Sequence, residues 1–378
     1  MMRALQNHRS STIAFAAAVT MLLFCASSHA RSSGSPVCSI TPTEMNNSSM
    51  QPATITSPNG WSLSVLGNYT SGSAIQVELT NASASKQFRG LLLWATSASG
   101  ALVGSWSIPS GYIMPGGCTP ASLTHSSRTA KSQGVFSFTP PAPGGGSLTF
   151  RAVVNEECGL SSCISVHAFP DPVTTVETTY ALNVSRNGDG VGTLSHSASG
   201  INCGIACSAT IAASQSVTLL ATAARNAALT AWTGCDTVAT NQCTLTMTGP
   251  RAVSATFMEA QLDVDDSGAP TRYDAATDGA LVVRYLFGLR GSALVNGAVA
   301  TGVATRSGAD IAIYLDARLG SMDVDGDGVV LATTDGLMIL RYMLGLRGTA
   351  LTAGARLGSL NDSQIQARLA TLMPQPLP

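Results

Sequence analysis

Two short acidic runs in the last third of the chain carry the residue types that hard-cation chemistry requires. The first reads Asp263-Val264-Asp265-Asp266-Ser267-Gly268 and the second Asp323-Val324-Asp325-Gly326-Asp327-Gly328. Each places oxygen-bearing side chains at positions 1, 3 and 5 and a glycine at position 6. Alternate residues turn their side chains toward one centre, and the glycine permits the sharp bend. This spacing predicts a calcium loop, and its recurrence in matching context makes Ca2+ the cofactor expected of this chain.

Such loops need a scaffold, and the sequence around them changes to helical periodicity from Leu262. The stretches beginning Thr277-Asp278-Gly279 and Thr334-Asp335-Gly336 align at an offset of 57, with 11 of the 18 positions from Thr277 to Leu294 identical. Each copy is followed by a second helical pattern with apolar residues four apart: Ile311, Leu315 and Leu319 in one, Ile365, Leu369 and Met373 in the other. A two-fold internal repeat follows. Neither half can bury its apolar face alone, so the halves are expected to pack on each other.

The remainder reads as β structure in two units. From Ile55 to Val166 short alternating runs such as Trp61-Ser-Leu63-Ser-Val65 and Ile75-Gln-Val77-Glu-Leu79 are separated by turn clusters, which indicates a β-sandwich. Residues 179–258 form a smaller β unit, with Asn187-Gly-Asp-Gly190 as a hairpin signal. His167 to Pro172, with two prolines, reads as a linker.

At 378 residues two or three domains are expected. Residues 1–30 read as a signal peptide: Arg3, His8 and Arg9, the apolar run Ile13 to Ala26, then a small-x-small site at Ser28-His29-Ala30. Residues 31–53 are polar and read as a flexible lead-in. No later stretch is apolar and long enough to span a bilayer, so the protein is expected outside the cell or at its surface, with the periplasm a further location. Setting Cys25 aside, the eight other cysteines of an exported chain read as four disulfides. A zinc site built from Cys203, Cys207, Cys235 and Cys243 is the competing reading. With a net charge of -1 and 11% charged residues there is no basic stripe to neutralise phosphates, which argues against nucleic acid.

Catalytic signals are weak, and no catalytic residue is assigned. His125 has no nucleophile or acid in sequence context and reads as structural. Glu156 and Glu157 are adjacent, so on a strand they face opposite ways, which makes a glycosidase pair a weak reading. Trp61, Trp94 and Trp106 read as sandwich core in preference to a sugar-stacking platform.

Three segments resemble known families. Cys38, the Phe88-Arg-Gly90-Leu-Leu-Leu-Trp94-Ala strand, Val103-Gly-Ser-Trp106, Cys118, Leu123-Thr-His125-Ser and Phe136-Ser-Phe138…Pro141-Ala-Pro143 resemble a reeler domain. That resemblance implies an immunoglobulin-like sandwich over 54–170, a Cys38–Cys118 bridge, local pairing of Cys158 with Cys163, and adhesion or matrix binding. Gly188-Asp-Gly190-Val-Gly192, Cys203-Gly-Ile-Ala-Cys207, Trp232-Thr-Gly-Cys235, Cys243 and Arg251-Ala-Val-Ser-Ala-Thr-Phe257 resemble the bacterial extracellular repeat related to internalin B-repeats. This implies a spacer over 179–258 with Cys203–Cys207 and Cys235–Cys243 bridges.

The loop-helix tandem over 262–374 resembles type I dockerins, whose calcium loop is an EF-hand variant. The ligands implied are Asp323, Asp325, Asp327, the carbonyl of Val329 and Asp335 in one loop. In the other they are Asp263, Asp265, Ser267, the carbonyl of Ala269 and Asp278, with Asp274 as an extra ligand. Two departures stand out: Asp335 sits at position 13 in place of 12, and Pro270-Thr-Arg272 lengthens the first loop. The chain is thus expected to be a mainly β, multidomain, non-enzymatic secreted bacterial protein. Its expected partner is an extracellular protein or polysaccharide, with a cohesin-like module as one form. The alternative is an accessory component of extracellular polysaccharide degradation, either carbohydrate-binding or an unrecognised glycoside hydrolase.

Overall fold

The computed structural model describes residues 34–47, 54–156, 166–203 and 207–378. The expected signal segment and the expected Cys158–Cys163 bridge lie outside the described residues.

In the first unit, period-two alternation produces two facing sheets. One carries Trp61–Val65, Ile75–Asn81, Gly134–Thr139 and Ser105–Trp106. The other is seven-stranded, and its central strands Phe88–Ser97 and Ser147–Glu156 pair antiparallel along their length. Between them lies an aromatic-rich core that includes Trp61, Phe88, Trp106, Phe136, Phe138 and Phe150. The run Leu91-Leu-Leu-Trp94 does not alternate because both faces of its strand are covered. Leu91 and Leu93 enter the core between the sheets, while Leu92 and Trp94 pack outside it with Ile40, Met45 and Phe169.

That outer cluster corrects two expectations. Residues 34–47, expected within a flexible lead-in, are held by the Cys38–Cys118 disulfide and by a short helix, Pro42–Asn46, with a Thr41/Glu44 capping box. The segment expected as a linker, His167 to Pro172, lies between further strands of the sandwich. Val166–Ala168 pairs with Thr54–Thr56, and Val173–Val176 pairs with Ser147–Glu156. The prolines stand between these strands, where no ladder donor is needed.

The second unit is a smaller sandwich closed by Cys203–Cys207 and Cys235–Cys243, which removes the zinc reading. The turn at Asn187-Gly-Asp-Gly190 does not make a hairpin. Thr179–Asn187 pairs with Arg251–Glu259 in one sheet, whereas Gly192–His196 pairs with Ser216–Ala223 in the other. The turn is drawn across by the Arg251–Glu259 strand: Gly190 N–H donates to Phe257 O, and Asp189 accepts from Glu259 N–H. Gly188, at φ +86°, lies so close to Phe257 O that a Cβ would sit 2.0 Å from it.

In the third unit the two repeats share one core, as expected. Each loop leads through one π-helical turn into a short helix, Ala280–Leu286 or Leu337–Met343. These helices meet at the glycines of the two Thr-Asp-Gly runs. A Cβ on Gly279 would lie 2.7 Å from Leu340 Cδ1, and one on Gly336 would lie 3.1 Å from Leu286 Cδ1. The second helices, Gly308–Arg318 and Asp362–Leu372, start at capping boxes from Ser307 and Asn361. Their residues Ile311, Leu315, Ile365 and Leu369 are buried in that common core, each contributing about 1.5–3 kcal/mol by burial. Leu319 is the exception: the helix ends at Arg318 and Leu319 stays exposed.

Candidate metal centres

The two acidic loops fold alike in backbone and differ in which carboxylates they gather. In the first, Asp263, Asp265 and Asp278 are fully buried, and each offers an oxygen within 4.8 Å of the others. In the second, the cluster is Asp323, Asp325 and Asp327, of which only Asp325 is buried. Both are all-oxygen donor sets of the kind that suits a hard divalent cation.

Backbone amides hold these carboxylates in place. Asp263 accepts from Ser267 N (2.9 Å) and Gly268 N (3.1 Å), and Asp265 accepts from Ala300 N (2.7 Å) in the connector after the helix. Asp278 reaches back to Val264 N (2.6 Å), closing the loop. The second loop repeats the plan: Asp323 accepts from Gly328 N (3.0 Å), Asp325 from Leu357 N (2.7 Å) and Asp335 from Val324 N (2.9 Å).

Asp335 spends its second oxygen on Leu331 N and Thr334 Oγ1, and it is not among the gathered side chains. In the first loop the equivalent hydroxyl, Thr277 Oγ1, is buried with no hydrogen-bond partner. Asp274 is exposed; its side chain caps Ala276 N–H (2.7 Å), and its own N–H donates to Asp278 Oδ2 (3.1 Å), as Leu331 N–H does to Asp335. Ser267 is buried and within 3.5 Å of Asp263 Oδ1. Ala269 and Val329 are exposed at the rims of their loops.

Electrostatics separates the loops further. Arg272, from the inserted Pro270-Thr-Arg272, places Nε 3.6 Å from Asp263 Oδ2 in a nearly buried ion pair. With all groups ionised, three carboxylates against one guanidinium leave two negative charges, the number a divalent cation neutralises. Burial, and then the charges of Asp265 and Asp263, push the Asp278 carboxyl up to about 7. Burial also raises that of Asp263. In the second loop Arg368 donates to the Asp323 carbonyl (2.8 Å), not to a carboxylate.

Arg272 escaped the sequence reading, although its place inside a lengthened acidic loop was a usable signal. Arg306, which donates to the carbonyls of Asp263 and Val264, gave no signal, since it stands about forty residues away. Arg284 and Arg341 cover helix ends by donating to Leu294 and Asn296 carbonyls and to Leu351 and Ala353 carbonyls, respectively.

The β units offer no comparable constellation among the described residues. Trp61, Trp94 and Trp106 are buried. His125 is buried and accepts from Leu91 N (3.1 Å) in the sheet. Glu156 is occupied by Asn59, Trp61 Nε1 and Lys86. Burial holds the His167 imidazole down at about 4, so it is neutral at neutral pH.

Residues 37–159 match the family model of the reeler domain, and residues 184–261 match that of the divergent InlB B-repeat domain. Both are non-catalytic kinds of domain. Similar solved structures include a fragment of the human F-spondin reeler domain, 20% identical, covering 33% of this chain and 94% of that one with a TM-score of 0.27. The Reelin-N domain of F-spondin is 24% identical and covers 33% and 91%, also at 0.27. No curated protein matches the chain. No described helix is long and apolar enough to cross a membrane. The chain is thus modular and mainly β, with a segment that matches the reeler domain followed by one that matches the divergent InlB B-repeat, kinds of domain that fit an extracellular modular protein.

Proposed function

We propose that this is a secreted, non-enzymatic binding protein whose C-terminal tandem takes up calcium and serves as a dockerin-like attachment module. The single observation that carries the reading is the first cluster: three fully buried carboxylates within 4.8 Å, relieved by one arginine. Burying like charges together is costly unless a cation joins them. Asp263, Asp265, Asp278 and Ser267 would hold one ion and Asp323, Asp325 and Asp327 the other. When bound, calcium supplies a point of charge that draws each loop closed. The amide contacts of Asp278 and Asp335 then fix the start of the following helix. Phe287 and Leu344, exposed at equivalent repeat positions after these helices, are apolar groups that an attachment surface would present. The reeler-like sandwich is the adhesive or matrix-binding part and the B-repeat the spacer. A role in polysaccharide breakdown has less support, because Trp61, Trp94 and Trp106, the tryptophans of the reeler-like sandwich, are buried.

The test is calorimetric titration of calcium into the full chain, with Asp323→Ala/Asp325→Ala as control. Wild type is expected to take two ions, and the variant to lose one of them with an affinity drop on the order of 100-fold or more. Unchanged binding in the variant removes the ligand assignment. Screening against glycans and matrix components, with calcium and then with EDTA, separates the adhesive reading from the polysaccharide one.

A further inference from the structure

The first loop is seated on the neighbouring B-repeat domain, and the second is not. The last strand of the repeat ends at Glu259, and Leu262 already belongs to the helical core, so no linker separates the two units. Arg225, on the rim of the repeat, extends its guanidinium to the loop. Its Nε donates to Asp266 O (2.7 Å) and its Nη2 to Ser267 O (2.7 Å), with a further contact to Val303 O in the connector. In return Arg272, the partner of Asp263, donates to the carbonyl of Arg225. The two arginines thus cross between domains, one holding the loop backbone and the other tied to a candidate calcium ligand.

Three further ties bracket the crossing. Arg318 pairs with Glu259 at 2.5 Å. Leu377 N–H donates to Leu229 O (3.0 Å), and the Leu377 side chain packs against the repeat's core. Tyr273, next to Arg272, donates to the carbonyl of Pro374 in the same terminal segment (3.2 Å). A cavity of about 420 Å³ runs along this seam, lined by Ala223, Asn241, Gly268, Arg272 and Leu377 among others. The seam is only partly filled by side chains, so the polar crossing carries much of its definition.

We propose that the first loop is a calcium-dependent joint, in which metal uptake and docking of the helical module onto the B-repeat are one coupled equilibrium and Arg225 is the positioning residue. This rests on the calcium reading given above. The physical ground is reciprocity. Arg225 fixes the backbone at Asp266 and Ser267, loop positions 4 and 5, directly after the ligand at position 3, so it favours the closed loop. A closed loop in turn presents the carbonyls that Arg225 binds. Whatever stabilises one must stabilise the other by the same factor. With calcium the spacer and the attachment module form one stiff unit; without it the module is freed from the spacer. The second loop shares the metal chemistry but has no such partner in another domain among the described residues, so it organises the helices alone.

The experiment is a calcium chloride titration of the full chain followed by amide hydrogen exchange, which reads each loop separately. The Ser267 and Gly268 amides report the first loop, the Gly326 and Gly328 amides the second, and the Leu377 amide the docked segment. Arg225 is exposed on the repeat, so Arg225→Ala spares that domain's core. It is expected to raise the calcium midpoint of the first loop about tenfold and leave that of the second unchanged. Calcium should protect Leu377 in wild type and fail to do so in the variant. Leu377→Asp, which breaks the packing of that side chain against the repeat's core, should shift the first midpoint in the same direction. An unchanged first-loop midpoint in either variant overturns the joint while the calcium reading stands. Absence of calcium protection in both loops of wild type overturns the calcium reading and the joint with it.

Discussion

The two acidic loops share one repeat pattern and rest on different neighbours. The second is braced by its own module. Asp325 ties it to the connector at Leu357 and Gly358, and Arg368 from the last helix holds the Asp323 carbonyl. The first has internal braces of the same kind, Asp265 to Ala300 N–H and Arg306 to the carbonyls of Asp263 and Val264, and is braced from outside as well, by Arg225 of the B-repeat. It also gathers a different carboxylate, Asp278 in place of an aspartate at position 5, where Ser267 stands. A serine at that position removes one charge from the rim and leaves the cluster deeper. The lesson is that duplicated sites can keep one backbone plan while their energetics are reassigned through whatever each copy packs against.

The sharpest way to break the second loop alone is Gly358→Ala. A Cβ there would lie 2.0 Å from Asp325 O, a backbone atom that cannot yield. The expected cost is about 2–4 kcal/mol, with loss of the second calcium event and retention of the first. The position-6 glycines give the matched comparison. Gly268 and Gly328 have φ of +68° and +86°, so alanine strains both, by about 1–3 kcal/mol. Only at Gly268 would the new Cβ also meet Arg225, 2.9 Å from its Cγ. Thermal unfolding should therefore show similar losses, while Leu377 exchange should quicken in Gly268→Ala alone. Equal exchange in the two would erase the asymmetry.

A smaller effect comes from pH. The Asp278 carboxyl is raised to about 7 from its ordinary 3.8 in the ion-free loop. A raised carboxyl favours the folded state only while protonated, so that contribution is complete below about pH 4 and gone above about pH 7. In EDTA, the unfolding temperature of the helical module should fall as pH rises through this window. Calcium must expel the same proton, so first-site affinity should rise at least about tenfold between about pH 5 and pH 7. Calorimetry at several pH values checks the sign; affinity that falls with pH would contradict it. The smallest effect is expected from Arg356→Ala, which removes a surface pair with Asp362 beside the second loop. It should cost at most about 1 kcal/mol in chemical denaturation and leave calcium binding unaltered.

Much of this was legible from residue spacing. Period-two runs marked strands such as Trp61–Val65 and Ile75–Asn81, and residues four apart marked Ile311 with Leu315 and Ile365 with Leu369. The three described disulfides follow from the two resemblances. Reading failed where a residue's role depends on a distant partner. Asn187-Gly-Asp-Gly190 encodes a bend but not which strand takes up its donors, and Phe257 and Glu259 draw it into a crossing between sheets. His167 to Pro172 looks like a linker because prolines punctuate it, yet the apolar Ala168 and Phe169 bind it into the sandwich.

By itself, then, the amino-acid sequence determined which atoms could meet a cation, because alternation along a short loop is a local property of the backbone. It also determined that the two copies share a core, because matching apolar periods have no other way to be buried. Asp278 and Asp335 both accept from backbone amides, and only the tertiary structure decided that Asp278 stands within its cluster while Asp335 takes the Thr334 hydroxyl and stands outside its own. It alone decided that Arg225 and Arg272 cross between domains. The Asp335 outcome is local, resting on Leu331 and Thr334, whereas the arginine crossing joins residues more than forty positions apart that only the packing of whole domains brings together.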